Sequence, residues 1–160
     1  MPLEIVVADL ARPEHGQAIL DLLNAYALDT MGGGQPLSAY ARKNLLPQLA
    51  QRPGACAVLA FVDQAPAGLV ICFEGFSTFA CKPLLNLHDV VVAAEFRGRG
   101  LVGRMLERVE EIARQRGCCK MTLEVLQGNT AAQSAYRKAG FSGYQLDPGL
   151  GNALFWEKKL

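Results

Sequence analysis

Gly98, Gly100 and Gly103 punctuate the stretch "AEFRGRGLVGRML" (94–106), with Arg97 and Arg99 interleaved. A strand, a glycine-rich turn and a helix start present unpaired backbone N–H groups and the positive end of a helix dipole. Two guanidinium groups add charge, and the combination favours a phosphate or pyrophosphate. The spelling G-x-G-x-x-G also belongs to dinucleotide-binding folds. There the first glycine follows directly on the first strand, and an acidic residue stands about 20 positions on. Glu124 is at that distance, yet "AAEFR" separates Gly98 from the strand ending near Val92, and Glu124 lies within its strand. Too few residues follow Glu124 for the rest of a doubly wound sheet. The phosphate chemistry survives; the dinucleotide reading fails on context.

The five cysteines (Cys56, Cys72, Cys81, Cys118, Cys119) form no C-x-x-C, and only two histidines are present. That argues against a disulfide framework or a structural metal site, so no metal is expected and a reducing, cytoplasmic setting is. Lys and Arg number 16 against 15 Asp and Glu, a net charge of +1. Nucleic-acid binders carry a basic excess, so that partner class is set aside. No apolar run approaches the roughly 20 residues of a membrane span. "MPLEIVVADL" lacks the basic-then-apolar pattern of a secretory leader.

The elements that must hold the loop follow from periodicity. "LEIVVAD" (3–9) reads as a first strand, and residues 14–28 place Ile19, Leu22, Leu23 and Tyr26 at helical spacing. Ser38 caps a second helix that Pro47 should kink or end. "CAVLAFV" (56–62) and "LVICFEG" (69–75) flank the turn "DQAPAG" as a hairpin. "LLNLHDVVV" (84–92) reads as a central strand, and a helix runs from Gly100 to a stop at Gly117. "KMTLEVL" (120–126) is a strand, Thr130 and Gln133 fit a capping box, Gly140 ends that helix, and "ALFWEKK" (153–159) is a last strand. Residues 1–160 read as a single α/β domain.

"HDVVVAAEFRGRGLVGRMLERVEEIARQRGC" resembles the central motif of the GNAT superfamily of N-acetyltransferases, Gln/Arg-x-x-Gly-x-Gly/Ala between a strand and a helix. "LEVLQGNTAAQSAYRKAGF" is similar to that family's next motif, in which an Asn opens a helix and a Tyr two turns later precedes a Gly-Phe pair. The two occupy residues 87–141 in the family's order. The resemblance implies an α/β (α+β) fold with a mixed central β-sheet, helices on both faces and splayed parallel central strands. It implies acetyl-CoA as co-substrate, its pyrophosphate held by backbone amides across Gly98, Arg99, Gly100, Leu101, Val102 and Gly103. Arg97 opens the loop. Val102 departs from the pattern, standing where a small residue is expected, and valine threatens close approach or any φ > 0 geometry.

Acetyl transfer needs a neutral amine, a stabilised carbonyl oxygen and a proton for the departing thiolate. By resemblance, Val90, Val91 and Val92 offer backbone groups to the acetyl carbonyl and pantetheine arm, and Asn129 contacts that arm. Tyr136 is the leaving-group acid, a role that a lowered pKa would favour. Asn129 also fits a helix cap and Tyr136 a half-buried core residue. In diamine acetyltransferase relatives "LED" stands where this chain has "LHD", which puts His88 at a base position; Glu124, or water alone, are the alternatives. Strand alternation sends His88 and Asp89 to opposite faces, so only one should enter the cleft.

The resemblance places the acceptor among "ALDTMGGGQP", "FEGFSTFACKP" and "SGYQLDPGLGN". Asp29, Glu74 and Asp147 are candidates to attract a cationic amine, and Phe73, Phe76 and Phe79 to form an apolar wall; all also read as ordinary loop and core residues. The expected activity is N-acetylation of a small-molecule primary amine. A protein or peptide amine, or a non-catalytic acyl-CoA sensor, are the alternatives, and a homodimer is expected from the resemblance.

Overall fold

A computed structural model describes residues 2–160. In chain order the elements are β1 (Leu3–Val7), α1 (Pro13–Leu28), α2 (Ala39–Ala50), β2 (Ala55–Val62), β3 (Ala65–Ser77), β4 (Lys82–Val92), α3 (Leu101–Gln115), β5 (Met121–Leu123) and α4 (Thr130–Lys138). The sheet order is β1–β2–β3–β4–β5. The first three junctions are antiparallel, and β4 pairs β5 in parallel because α3 carries the chain back to the start of the sheet.

Side chains alternate between two cores. Val58, Val70, Leu85 and Leu87 meet Met105, Leu106 and Val109 of α3, with Tyr136 of α4 at the margin. On the opposite face Leu59, Leu69, Ile71 and Val91 meet Ile19 and Leu22 of α1 and Leu49 of α2. The mixed sheet with helices on both faces is therefore as the residue pattern and the resemblance imply.

Four local expectations are corrected. α2, capped by Ser38 on the Ala41 N–H at 3.1 Å, continues through Pro47 to Ala50. Pro47 is exposed, so water covers the carbonyl its missing N–H leaves behind, while Leu46 and Leu49 anchor the turn on either side in the core. The hairpin turn is only Asp63-Gln64, both at positive φ (49° and 67°), and β3 begins at Ala65. The cap of α4 is Asn129, accepting from Ala132 N–H at 3.2 Å; Gln133 instead donates to the carbonyls of Leu126 and Gln127. The strand expected over 120–126 shrinks to Met121–Leu123.

The strand expected at 153–159 does not form. Residues 142–160 are exposed throughout, Leu154, Phe155 and Trp156 among them. A strand exists through its partner, and β5 offers a three-residue edge with which no further described strand pairs. The chain exposes 10583 Å², against roughly 7,800 Å² for a compact protein of this mass. No helix among the described residues is long and apolar enough to cross a membrane.

Candidate active site

The site begins where the sheet parts. β4 and β5 pair only over Leu85–Leu87 and Met121–Leu123, fastened by Asn86 Nδ2 donating to Thr122 Oγ1 at 3.0 Å. β5 then ends, while β4 runs on to Val92 bonded only to β3. A β-bulge marks the parting: Cys72 faces Leu87 and Ile71 faces Asp89, leaving His88 as the extra residue. One extra residue reverses which face each later side chain takes. Leu85 and Leu87 therefore point to the α3 core, whereas Val91 points to the α1–α2 core. His88 and Asp89 line one cavity together. The expectation that alternation would separate them is overturned by the bulge.

The same ladder decides which backbone groups are open. Ala93 N–H donates to Ala67 C=O at 2.9 Å. In an antiparallel ladder the bonded pairs recur every second residue, so Val91 is also turned toward β3. Val90 and Val92 turn their backbone groups to the parted side, where Val92 C=O accepts from Arg97 Nε at 3.2 Å. Two of the three valines thus face the gap, and Val91 is a core residue.

Past Val92 the chain makes a 3₁₀ turn (Ala94–Phe96), and Gly98 and Gly100 adopt φ of 75° and 76° before α3 begins. That left-handed geometry favours glycine, which meets no Cβ penalty there. Gly103 lies inside α3, and a Cβ there would meet nothing within 4 Å, so the third glycine is not required by space. Val102 also lies in the first helical turn without positive φ, half-buried against the α3 core. It supplies an unpaired N–H as any residue of a helix's first turn does, which removes the geometric objection to valine.

The arginines brace the loop. Arg97 reaches Asp29 Oδ2 at 3.1 Å, tying it to the end of α1. The Met31 backbone N–H and then Arg97 hold the Asp29 carboxyl below its usual range. Arg99 donates to Glu95 C=O at 3.2 Å, its guanidinium 5.4 Å from the Phe96 ring centre. The loop's outward offering is its backbone at the α3 N-terminus.

Tyr136 comes from α4, 8% exposed, its ring edge-on to Phe141 at 6.2 Å. No described residue hydrogen-bonds its hydroxyl, and no buried polar side-chain atom is left unpaired, so the hydroxyl opens to solvent. Burial, and then the neighbouring Tyr26 of α1, push its pKa up to about 12. A lowered value would favour the acid role, and the surroundings of Tyr136 do the opposite. Asn129 uses Oδ1 as the cap of α4, leaving its amide nitrogen available.

Between α1, α2 and the sheet lies a cavity of about 360 Å³. Leu23 and Tyr26 of α1, Leu49 of α2, and Ile71 and Phe73 of β3 form walls, and His88 and Asp89 close one end. His88 stands edge-on to Phe73 at 5.3 Å. Burial raises the Asp89 pKa, opposed by His88. Tyr26, raised by burial and then by Asp89, spans from this cavity toward Tyr136. Helical spacing marks Tyr26 only as an apolar position of α1, and its polar end is visible only in the fold.

Other candidates are elsewhere. Glu124 is exposed just beyond β5 and lines no part of the cavity. Glu74 pairs with Arg116 at 3.4 Å, Asp147 caps a surface turn on the Gly149 N–H, and Phe76 and Phe79 are exposed. Of the three phenylalanines, Phe73 alone lines the cavity. Among the described residues, no cluster of three or more His, Cys, Asp or Glu is placed to hold a metal.

Residues 18–141 match the sequence model of the Acetyltransferase (GNAT) family. The chain is similar to streptothricin acetyltransferase of Streptomyces lavendulae, 37% identical over 91 residues, 56% of this chain and 48% of that protein. It thus spans about half the length of that relative. It is also similar to glucosamine 6-phosphate N-acetyltransferase 1 of Oryza sativa subsp. japonica, 32% identical over 93% of this chain and 84% of that one. In fold it matches an aminoglycoside N-acetyltransferase solved in complex with CoA, with TM-score 0.75, 18% identity, and coverage of 99% and 96%.

Proposed function

Because the chain belongs to the GNAT acetyltransferase family, we propose that it is an N-acetyltransferase, moving an acetyl group from acetyl-CoA to a small-molecule primary amine by direct attack in a ternary complex. The observation that carries this is the parted sheet: Val90 and Val92 turn backbone groups into a gap with the α3 N-terminus at one end and Tyr136 at its side. These residues fit the co-substrate by chemistry. Outward amides from Gly98 to Gly103 suit a pyrophosphate, and an open strand edge suits the amide-bearing arm. Asn129 adds its free amide nitrogen.

Bound acetyl-CoA supplies the thioester. The amine nitrogen forms a bond to the acetyl carbon, the C–S bond breaks, and its electron pair leaves on sulfur. The amine's surplus proton passes to His88, to Asp89 or to water, and the sulfur gains one from solvent. A backbone N–H turned into the gap stabilises the carbonyl oxygen as charge grows on it. Tyr136 serves best as a hydrogen-bond donor to the sulfur. Full transfer from a phenol near 12 to a thiolate of pKa about 8.5 is uphill by about 5 kcal/mol.

A half-open cavity of about 360 Å³ between two helices and the sheet suits a small molecule. A hydroxyl held open at the gap favours catalysis over a silent acyl-CoA sensor. Two copies suit the chain, because among the described residues the apolar side chains of 142–160 are exposed and no strand pairs with the outer edge of β5. Free cysteines at five positions suit the cytoplasm. Thermal shift with acetyl-CoA and with NAD, followed by thiol release across an amine panel, tests the proposal. Stabilisation by NAD alone, or acetyl-CoA binding without transfer to any amine, overturns it.

A further inference from the structure

The cavity beside the gap has a composition that selects among amines. Its walls are mostly hydrocarbon, from Leu23, Leu49, Ile71 and Phe73, with Tyr26 and His88 as further polar side chains, and Asp89 is its one carboxylate. No hydrogen bond from the described residues reaches that carboxylate, although it is largely sheltered. An acidic group so placed lacks a donor, which an amine supplies. No lysine or arginine lines the cavity, and the acidic residues of the neighbouring loops are spent elsewhere: Asp29 on Arg97, Glu74 on Arg116, Asp147 on its own turn.

Resting on the acetyltransferase reading, we propose that the acceptor is a hydrophobic monoamine, an alkyl or arylalkyl primary amine whose nitrogen meets Asp89 and whose hydrocarbon body lies against Leu23, Leu49 and Phe73. A second ammonium group on the same molecule would sit among leucine and phenylalanine side chains with no carboxylate to pair it, and an unpaired buried charge is heavily penalised. A sugar ring carries more hydroxyls than Tyr26, His88 and Asp89 can pair, and the rest would meet hydrocarbon. The bulge at His88 makes the selection possible. It brings Asp89 onto the hydrocarbon side of the sheet at the point where β4 opens toward the gap.

The test is a matched series. With acetyl-CoA saturating, kcat/KM is measured for butylamine, pentylamine and hexylamine, 2-phenylethylamine, 1,6-diaminohexane, glucosamine and kanamycin. Burial of each added methylene should raise kcat/KM about fourfold along the alkyl series, the equivalent of about 0.8 kcal/mol per CH₂. Hexylamine should exceed 1,6-diaminohexane at least tenfold. Leu45→Glu, which adds a carboxylate to the half-buried α2 wall, should narrow that ratio. A flat alkyl series, or preference for the diamine, glucosamine or kanamycin, overturns the inference while leaving the enzyme reading intact. Calorimetric binding of hexylamine and 1,6-diaminohexane to the wild-type protein saturated with CoA reads the same selectivity without turnover or a variant. Hexylamine-selective binding with no turnover sinks the enzyme reading and keeps the cavity assignment; equal binding sinks the assignment.

Discussion

Replacing Tyr136 with phenylalanine separates its catalytic contribution from its structural one. The ring is 8% exposed and packs against Phe141, contacts that phenylalanine keeps. The hydroxyl makes no hydrogen bond to the described protein, so its loss should change stability by less than about 0.5 kcal/mol. A hydrogen bond to the departing thiolate, by contrast, is charge-assisted and worth about 1.5–3 kcal/mol. At 1.36 kcal/mol per decade that is a loss of about 10- to 150-fold in kcat. Thiol release under saturating acetyl-CoA and amine gives kcat, single-turnover mixing confirms that chemistry is the step measured, and thermal unfolding gives stability. Because burial pushes the phenol up to about 12, wild-type kcat should show no alkaline decline from Tyr136 below about pH 10. Unchanged single-turnover rates in Tyr136→Phe, or a Tyr136-dependent alkaline limb near pH 8, would refute the reasoning.

Three further outcomes follow from the geometry. Asp89 has a pKa raised above 3.8 by burial, so between that value and the raised one the folded protein binds more protons than the unfolded chain. Stability must therefore fall as pH rises through that window, and Asp89→Asn should raise the Tm at pH 7, leave it unchanged below pH 4, and weaken acceptor KM more than tenfold; an equal Tm gain at both pH values contradicts the assignment. Gly100→Ala forces φ of 76° on a Cβ-bearing residue, costing about 1–2 kcal/mol and raising the acetyl-CoA KM, whereas Val102→Ala should leave that KM within about twofold; the reverse ranking would restore the objection to valine. Trp156, the single tryptophan, is 84% exposed in one chain, so its emission should shift to the blue as concentration rises into the micromolar range and dimers form. A concentration-independent exposed spectrum, with monomer mass by light scattering, argues against the second copy.

What could be read in advance divides along a physical line. Regular elements with one buried face announced themselves: α3 alternates apolar and charged residues at helical spacing and begins and ends where Gly100 and Gly117 say it should. Properties that depend on pairing did not. The bulge at His88 leaves no mark in "LLNLHDVVV", because it is set by how β4 registers on β3 rather than by any residue in the run. That single irregularity decides two things the sequence left open or reversed: that His88 and Asp89 share a cavity, and that Val91 turns its backbone to β3 while Val90 and Val92 turn theirs to the gap. The arginines of the glycine loop show a related limit. Their charge is visible in the sequence, but the partner Asp29 of Arg97 is set by a fold that brings the end of α1 beside the loop, while Arg99 meets Glu95 C=O four residues back. The contacts proposed for the co-substrate therefore fall largely to backbone groups, which every sequence contains and only a register of strands can aim, while Tyr136, His88 and Asp89 are the side chains proposed beside them.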